Sequence, residues 1–398
     1  MKALIFSLLT VCSALILTSG CSDDPTDVGA GVLPSQDTVT TRTLVFYAAS
    51  DTTFRKRIDG IYGRLLAGKY RDLVTPQDIE ARTLLEFSGV PIFKSGVIID
   101  SAFITLTVDY RFGDTTGQYG FTAYKRAPSW SEDPKAFNWD SVSQLPADPV
   151  GTFLAPSIAP TDTFIRFALD TALIRAWSKT TGGLGSVLLV PSLTTGFVLG
   201  FGDVVTTISD NRPQLTVMYH DSADTAITFS QRVSRSMFVA DATPPPQPGD
   251  RMTLQSGVVY RSRLLFDSLS IPLDTLTIPA KASITKATLE VTVDQAHSFF
   301  NSLTRDSMIV YILKGSTYPF DSVSLGTVLS PVNQAPQKLY RADVKNIVQQ
   351  WVGKQPNYGF ALRAFNELTS LDRFSVNGIQ GIPVEFQPKL TVTYTLFP

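Results

Sequence analysis

Sulfur and imidazole are scarce in this chain: 398 residues contain 2 cysteines and 2 histidines. Both cysteines, Cys12 and Cys21, fall near the N-terminus, so from Ser22 onwards no disulfide framework and no thiol nucleophile can form. The histidines, His220 and His297, are too few for a His-rich metal centre, and neither comes with a Gly-x-Ser-x-Gly elbow that would announce a Ser-His-Asp triad. No Asp-x-Asp-x-Asp-Gly calcium loop occurs. Gly182, Gly183 and Gly185 lack a following Lys-Ser or Lys-Thr, and they stand between a helix-like and a strand-like segment, so they read as a helix stop and not as a phosphate loop. Charge is sparse and balanced, with 34 Lys and Arg against 35 Asp and Glu and no basic block. That excludes the electrostatic footprint of a nucleic-acid binder. The reading is of a protein without cofactor or metal, and not of an enzyme.

What the chain does have is apolar and turn-forming material: 43% hydrophobic residues, 11% aromatic, 26 Gly and 25 Pro. This is the composition of strands joined by turns, with enough apolar surface for sizeable cores. Its clearest internal pattern occurs twice, as Asn211-Arg-Pro-Gln-Leu-Thr-Val-Met-Tyr219 and Phe386-Gln-Pro-Lys-Leu-Thr-Val-Thr-Tyr394. Proline cannot donate to a ladder, so each copy predicts a strand with Pro at its entry and Leu, Val and Tyr on one face.

Other segments repeat in the same order. Arg82-Thr-Leu-Leu-Glu-Phe87 matches Arg261-Ser-Arg-Leu-Leu-Phe266, and the alternating run from Ala102 to Val108 matches Ala287 to Val293. Arg166 to Trp177 matches Tyr340 to Trp351, each predicting a short helix entered at Asp170 or Asp343 and carrying Trp on the same face as an aliphatic residue three positions earlier. At such spacing Trp177 and Trp351 are core anchors. The expected fold is all-β: two tandem antiparallel β-sandwiches of jelly-roll type, each with one short helix, over residues 41–220 and 221–398.

The N-terminus predicts export. Lys2 precedes the apolar stretch Ala3 to Leu17, shorter than the ~20 residues a span requires, and Leu17-Thr-Ser-Gly-Cys21 closes it. This closure resembles a bacterial lipobox, although Thr18 stands where Leu is usual. The resemblance implies cleavage before Cys21, lipidation of that residue and attachment to a membrane through its acyl chains, residues 1–20 being a signal peptide. Residues 21–40 then form an acidic tether rich in Gly and Pro, a flexible composition. Cys21-Ser-Asp-Asp24, Asp24-Pro-Thr-Asp-Val-Gly29 and Leu65-Leu-Ala-Gly-Lys-Tyr-Arg-Asp72 resemble a family of Bacteroidota surface lipoproteins. That implies an outer-membrane, cell-surface location.

The repeated strands, the Asp-to-Trp helices and Asn357-Tyr-Gly-Phe-Ala-Leu-Arg363 together resemble the DNRLRE-type β-sandwich, a jelly-roll module classed with carbohydrate-binding modules. The first copy alone keeps Pro128-Ser-Trp-Ser-Glu132 and Asn138-Trp139, similar to that family's Trp-Ser-Glu loop and following Trp. The resemblance implies polysaccharide binding without catalysis. The candidate ligand residues are Trp130, Trp139 and Tyr124, whose rings offer apolar faces to sugar C–H groups, with Lys125 and Arg126 placed for an acidic sugar and Glu132 beside them. Glu132 and Asp140 are also the best pair of carboxylates for glycoside cleavage, a role nothing in the sequence supports beyond their residue type. The alternative expectation is a structural or partner-binding surface lipoprotein in an envelope assembly, with no glycan ligand.

Overall fold

The computed structural model describes residues 39–56, 63–72, 77–126, 137–144, 146–203, 211–220, 225–243, 249–266, 278–301, 304–318, 320, 322–332, 338–353 and 355–397. Cys21, Trp130 and Glu132 lie outside these residues, as do 221–224 at the expected boundary between the two units.

Alternating apolar residues set the strands. In chain order they are β1 (Thr40–Tyr47), β2 (Ser50–Arg55), β3 (Leu65–Arg71), β4 (Asp78–Phe87), β5 (Ile98–Phe112), β6 (Tyr119–Arg126), β7 (Pro149–Ala155), β8 (Phe164–Ala168), β9 (Gly185–Pro191), β10 (Val198–Phe201) and β11 (Gln214–His220). There follow β12 (Ala226–Arg232), β13 (Arg235–Thr243), β14 (Arg251–Gln255), β15 (Tyr260–Leu265), β16 (Ser283–Val293), β17 (Met308–Leu313), β18 (Ser322–Val332), β19 (Lys338–Asp343), β20 (Phe360–Ala364), β21 (Arg373–Asn377) and β22 (Lys389–Leu396). All the ladders are antiparallel, and the protein is all-β with two sandwich units in tandem.

The duplication holds ladder by ladder. In the first unit β5 is flanked by β11, β8 and β10; in the second β16 is flanked by β22, β19 and β21. The chains β3–β4–β9–β6–β7 and β14–β15–β20–β17–β18 run in the same order. The units differ in how they close. β18 pairs with β19 and closes the second unit into a barrel, whereas no ladder joins β7 to β8.

The closing strands also take corresponding partners. β12 pairs with β11 and β13 with β4, while in the second unit those places are filled by β1 against β22 and β2 against β15. The strands nearest the N-terminus therefore complete the far unit, and the strand pair after residue 225 completes the near one. Pro213 and Pro388, which cannot donate, accept at equivalent points: the Pro213 carbonyl takes the Val233 N–H at 2.8 Å and the Pro388 carbonyl the Ala48 N–H at 3.0 Å.

Each unit has its own apolar core, and the expected anchors lie in them. Trp177 packs with Phe87 and Ile174, and Trp351 with Phe360 and Val348. Losing either indole would cost about 3–5 kcal/mol, the usual penalty for truncating a buried Trp. Asp170 caps the helix Thr171–Trp177 by accepting from the Ala172 N–H. In the helix Lys345–Val352 the cap position is Val344, and Asp343, one residue further out, accepts from the Lys345 N–H at 2.9 Å. That shift absorbs the different Asp-to-Trp spacing of the two copies. After the first helix, Gly182 and Gly183 take φ values of 71° and 58°, the left-handed backbone of a stop. A third described helix, Trp139–Ser143, occurs only in the first unit.

The two units share a buried seam. Leu66, Tyr110, Phe112 and Phe238 of the first pack with Val258, Tyr260 and Leu371 of the second. Polar bonds stitch the same surface: the Leu371 N–H donates to Tyr110 Oη at 2.9 Å, Arg64 to the Thr369 carbonyl at 2.6 Å, Asn301 to the Arg111 carbonyl, and Arg373 pairs with Asp72. A seam of this kind fixes the orientation of the two sandwiches.

Candidate functional site

The short helix Trp139–Ser143 organises one end of the seam. Asn138 caps it by accepting from the Ser141 N–H at 3.3 Å. Its Val142 is fully buried with Leu84, Phe137, Leu188 and Met237, and Tyr124 and Trp139 pack on the edge of that cluster. Because Trp139 is the helix's first residue it remains half-buried, and the Arg82 guanidinium lies 5.0 Å from its ring centroid. Arg82 is held in turn by Glu80 at 2.7 Å and by the Val142 and Ser143 carbonyls. The indole thus has a fixed orientation, set by a cation on one face.

The structure brings three of the expected ligand residues, Tyr124, Arg126 and Trp139, to this helix. Arg126 donates to the Ser141 carbonyl at 3.1 Å and lies over the Phe137 ring, so its charge is used inside the protein. Lys125 is exposed on β6, where its backbone N–H donates to the Asp148 carbonyl at 3.0 Å. Trp130 and Glu132, between β6 and this helix, are outside the described residues.

Beside Trp139 lies an open pocket of about 210 Å³, lined by Trp139 and Asp140 of the first unit, Tyr318 and Val259 of the second, and Arg55 and Lys56 at the end of β2. It is composite because β2 reaches across from the N-terminal part of the chain. Arg55 joins the units there, bonding Asp241 at 2.6 Å and the Ala240 carbonyl at 3.1 Å on β13. Tyr318 Oη donates to the Arg55 carbonyl at 3.0 Å, which holds the phenol ring at the rim, where it is 59% exposed.

The floor of the pocket is strained. Val259 has φ of 65°, a conformation that a β-branched residue avoids, in the tight turn between β14 and β15. Its side chain is 2% exposed in the seam, its N–H donates to the Gln255 carbonyl at 2.9 Å, and its carbonyl accepts from the Lys56 N–H at 3.0 Å. These three restraints over-determine the backbone. Burial pushes the neighbouring Tyr260 phenol above its ordinary value of 10.0, keeping that group neutral behind the site.

Chemically, the pocket combines two aromatic rings with charges of both signs. Asp140 is the one carboxylate among the described residues that line the pocket. The histidines are elsewhere, each beside an aspartate: His220 is 2.9 Å from Asp100 and His297 2.8 Å from Asp294. Among the described residues no group of three His, Cys, Asp or Glu side chains is gathered for a metal, and no helix is long and apolar enough to cross a membrane. Of the described residues that line this pocket, sequence reasoning singled out Trp139 and passed over Arg55, Lys56, Val259 and Tyr318, which lie far apart in the chain and carry no shared motif.

No family model matches the chain, and no curated protein matches it. Among solved structures, "Structure of infectious bursal disease virus Gx strain" is 11% identical over 90% of this chain and 76% of that chain, with a TM-score of 0.15. A likeness at that score carries no argument about fold or function.

Proposed function

We propose that this protein is a lipid-anchored component of the outer membrane, held through Cys21 and exposed at the cell surface, that acts as a non-catalytic binding module for a saccharide. The observation that carries the reading is the half-buried Trp139, fixed by Arg82 on the wall of an open pocket that also presents Tyr318. Aromatic faces beside a few polar groups are what a sugar ring, apolar on its C–H faces and polar at its rim, requires. At about 210 Å³ the pocket falls below the roughly 300–1,000 Å³ of sites for drug-sized ligands, which suits one sugar residue of a longer chain. A glycan array probed with the chain from Ser22 onwards tests this: specific retention that disappears in Trp139→Ala is expected. Array binding that survives the substitution would move the ligand elsewhere, and product release from the bound glycan would replace a binding role by a hydrolytic one.

A partner-binding role in an envelope assembly has its own support. The first unit leaves β7 and β8 without a ladder between them, joined at one end by the Asp170 N–H donating to the Val150 carbonyl at 2.8 Å, with Leu154 59% and Phe164 57% exposed. Unpaired strand edges with exposed apolar side chains are sites where another chain can add a strand. Under this reading the array is silent, and a protein retained in a pull-down from native envelope is lost when Leu154 and Phe164 are replaced by lysine.

A further inference from the structure

We propose that Lys56 is the specificity-determining residue of the pocket between the units, selecting a saccharide that bears a carboxylate; this rests on the saccharide reading of the site.

The argument starts from the four cations around the pocket. Arg82 is taken by Glu80, by two carbonyls and by the Trp139 face. Arg126 is taken by the Ser141 carbonyl and the Phe137 ring. Arg55 is taken by Asp241, by the Ala240 carbonyl and by Tyr260, whose ring centroid is 5.9 Å away. Each of these guanidiniums has polar and aromatic partners within the protein. Lys56 lines the same pocket as Asp140, and among the described residues it enters no ion pair. A lysine ammonium is a point charge with three donors on a flexible stem, suited to reach a ligand carboxylate.

Its backbone is nevertheless fixed. The Lys56 N–H donates to the carbonyl of Val259, the residue held at φ of 65°. Strain at a pocket floor persists only where surrounding contacts impose it, and here its consequence is to aim a carbonyl at the backbone that carries the free cation. Tyr318, bonded to the Arg55 carbonyl, restrains the preceding residue in the same way. The geometry is that of a flexible charge on a rigid base beside two aromatic rings. A ring lying on an aromatic face with its carboxylate against the ammonium satisfies both features, and charge-assisted bonds are the stronger kind. Lys125, in contrast, is a solvent-facing cation on β6 and does not line the pocket.

Titration calorimetry on the whole chain with trigalacturonate and its fully methyl-esterified form provides the test. The expected result is that the acid binds about 10- to 100-fold more tightly than the ester, as loss of a charged hydrogen bond implies. Lys56→Met should abolish that difference by lowering acid affinity to that of the ester, Lys56→Arg should keep it, and Lys125→Met should have no effect. The Lys56 N–H bond to Val259 does not use the side chain, so Lys56→Met should retain the parent melting temperature, which separates a lost charge from a misfolded pocket. Equal binding of acid and ester by the parent chain, or a preference that survives Lys56→Met, would overturn the role of Lys56 and leave the pocket standing. No binding of either sugar by the parent chain would overturn the saccharide reading itself, and the proposal with it.

Discussion

Thr43 and Thr393 face each other across the ladder between β1 and β22, their Oγ1 atoms 2.9 Å apart although the residues are 350 positions apart in the chain. The pairing joins the N-terminal strands to the second unit within one molecule. From Ser22 onwards the chain has no cysteine of its own, so Thr43→Cys with Thr393→Cys should form a single intrachain disulfide under mild oxidation. It should raise stability by about 2–4 kcal/mol, the typical gain from closing a long loop. Non-reducing gels and urea unfolding check both outcomes; covalent dimers in place of a faster-migrating monomer would mean that β1 pairs with another copy.

Asp72 and Arg373 form a buried ion pair across the seam, with side chains 1% and 4% exposed. Burial disfavours the charged guanidinium and draws its pKa down, while the Asp72 carboxylate opposes that shift. Removing one partner leaves the other charge in the seam, so Asp72→Asn or Arg373→Met should each destabilise by about 3–5 kcal/mol. The double substitution Asp72→Leu with Arg373→Met should cost less than either single one. Urea denaturation of the three variants decides it, and additive costs would show that the pair is not coupled.

Glu290 on β16 sits between two cations on the flanking strands, Arg341 on β19 with Nε 2.8 Å away and Lys389 on β22 with Nζ 2.6 Å away. Burial works against its ionised form, yet the hydrogen bonds from Lys389 and Arg341 prevail and hold its carboxyl below the ordinary 4.5. A depressed carboxyl stabilises the fold above its unfolded value, and the contribution is lost as pH falls through the folded one. The stability gap between the parent chain and Glu290→Gln should therefore be full at about pH 7 and narrow below about pH 4.5. Urea midpoints across that range measure the gap, and a gap independent of pH would remove Glu290 from the account of acid stability.

Val258 and Val259 are equally buried neighbours, each 2% exposed, and only the second has positive φ. Glycine at either position forfeits a valine side chain, but at 259 it also relieves about 1–3 kcal/mol of backbone strain. Val259→Gly should therefore be less destabilising than Val258→Gly by about that amount, and it should loosen Lys56 and weaken ligand binding. Equal destabilisation would mean that Val259 is not strained.

The parts of this molecule legible in the sequence were those written in short-range periodicity. The alternation in Leu390, Val392 and Tyr394 gave a strand with its apolar face inward, and the spacing of Ile174 with Trp177 gave a helix with its packing face. The Asp170 cap followed from residue type alone. Strand partners are a different matter: β1 and β12 occupy equivalent places, yet β12 folds back on the strand just before it and β1 on one 350 residues away. Nothing in the Thr-rich run from Thr40 encodes which edge it will meet. The pocket inherits that limitation, because Arg55 and Lys56 reach Trp139 only through the placement of β2. Val259 was hidden for another reason, since a valine in left-handed backbone contradicts the preference by which turns are recognised.

The placement of β1 also orders events in time. Synthesis proceeds from the N-terminus, and a segment that emerges early usually finds its partners early. Here Phe46, buried in the second core, must wait for β22, among the last strands of the chain. Until then β1 carries unpaired backbone groups and an exposed phenylalanine, a state open to wrong pairings, whereas β2 needs only β15. The first unit, whose completing strands follow it directly, can reach its final form while the second is still being delivered. Closure of this edge thus joins the oldest part of the polypeptide to one of its youngest, while the pocket needs β2 on β15 with Tyr318 beside it.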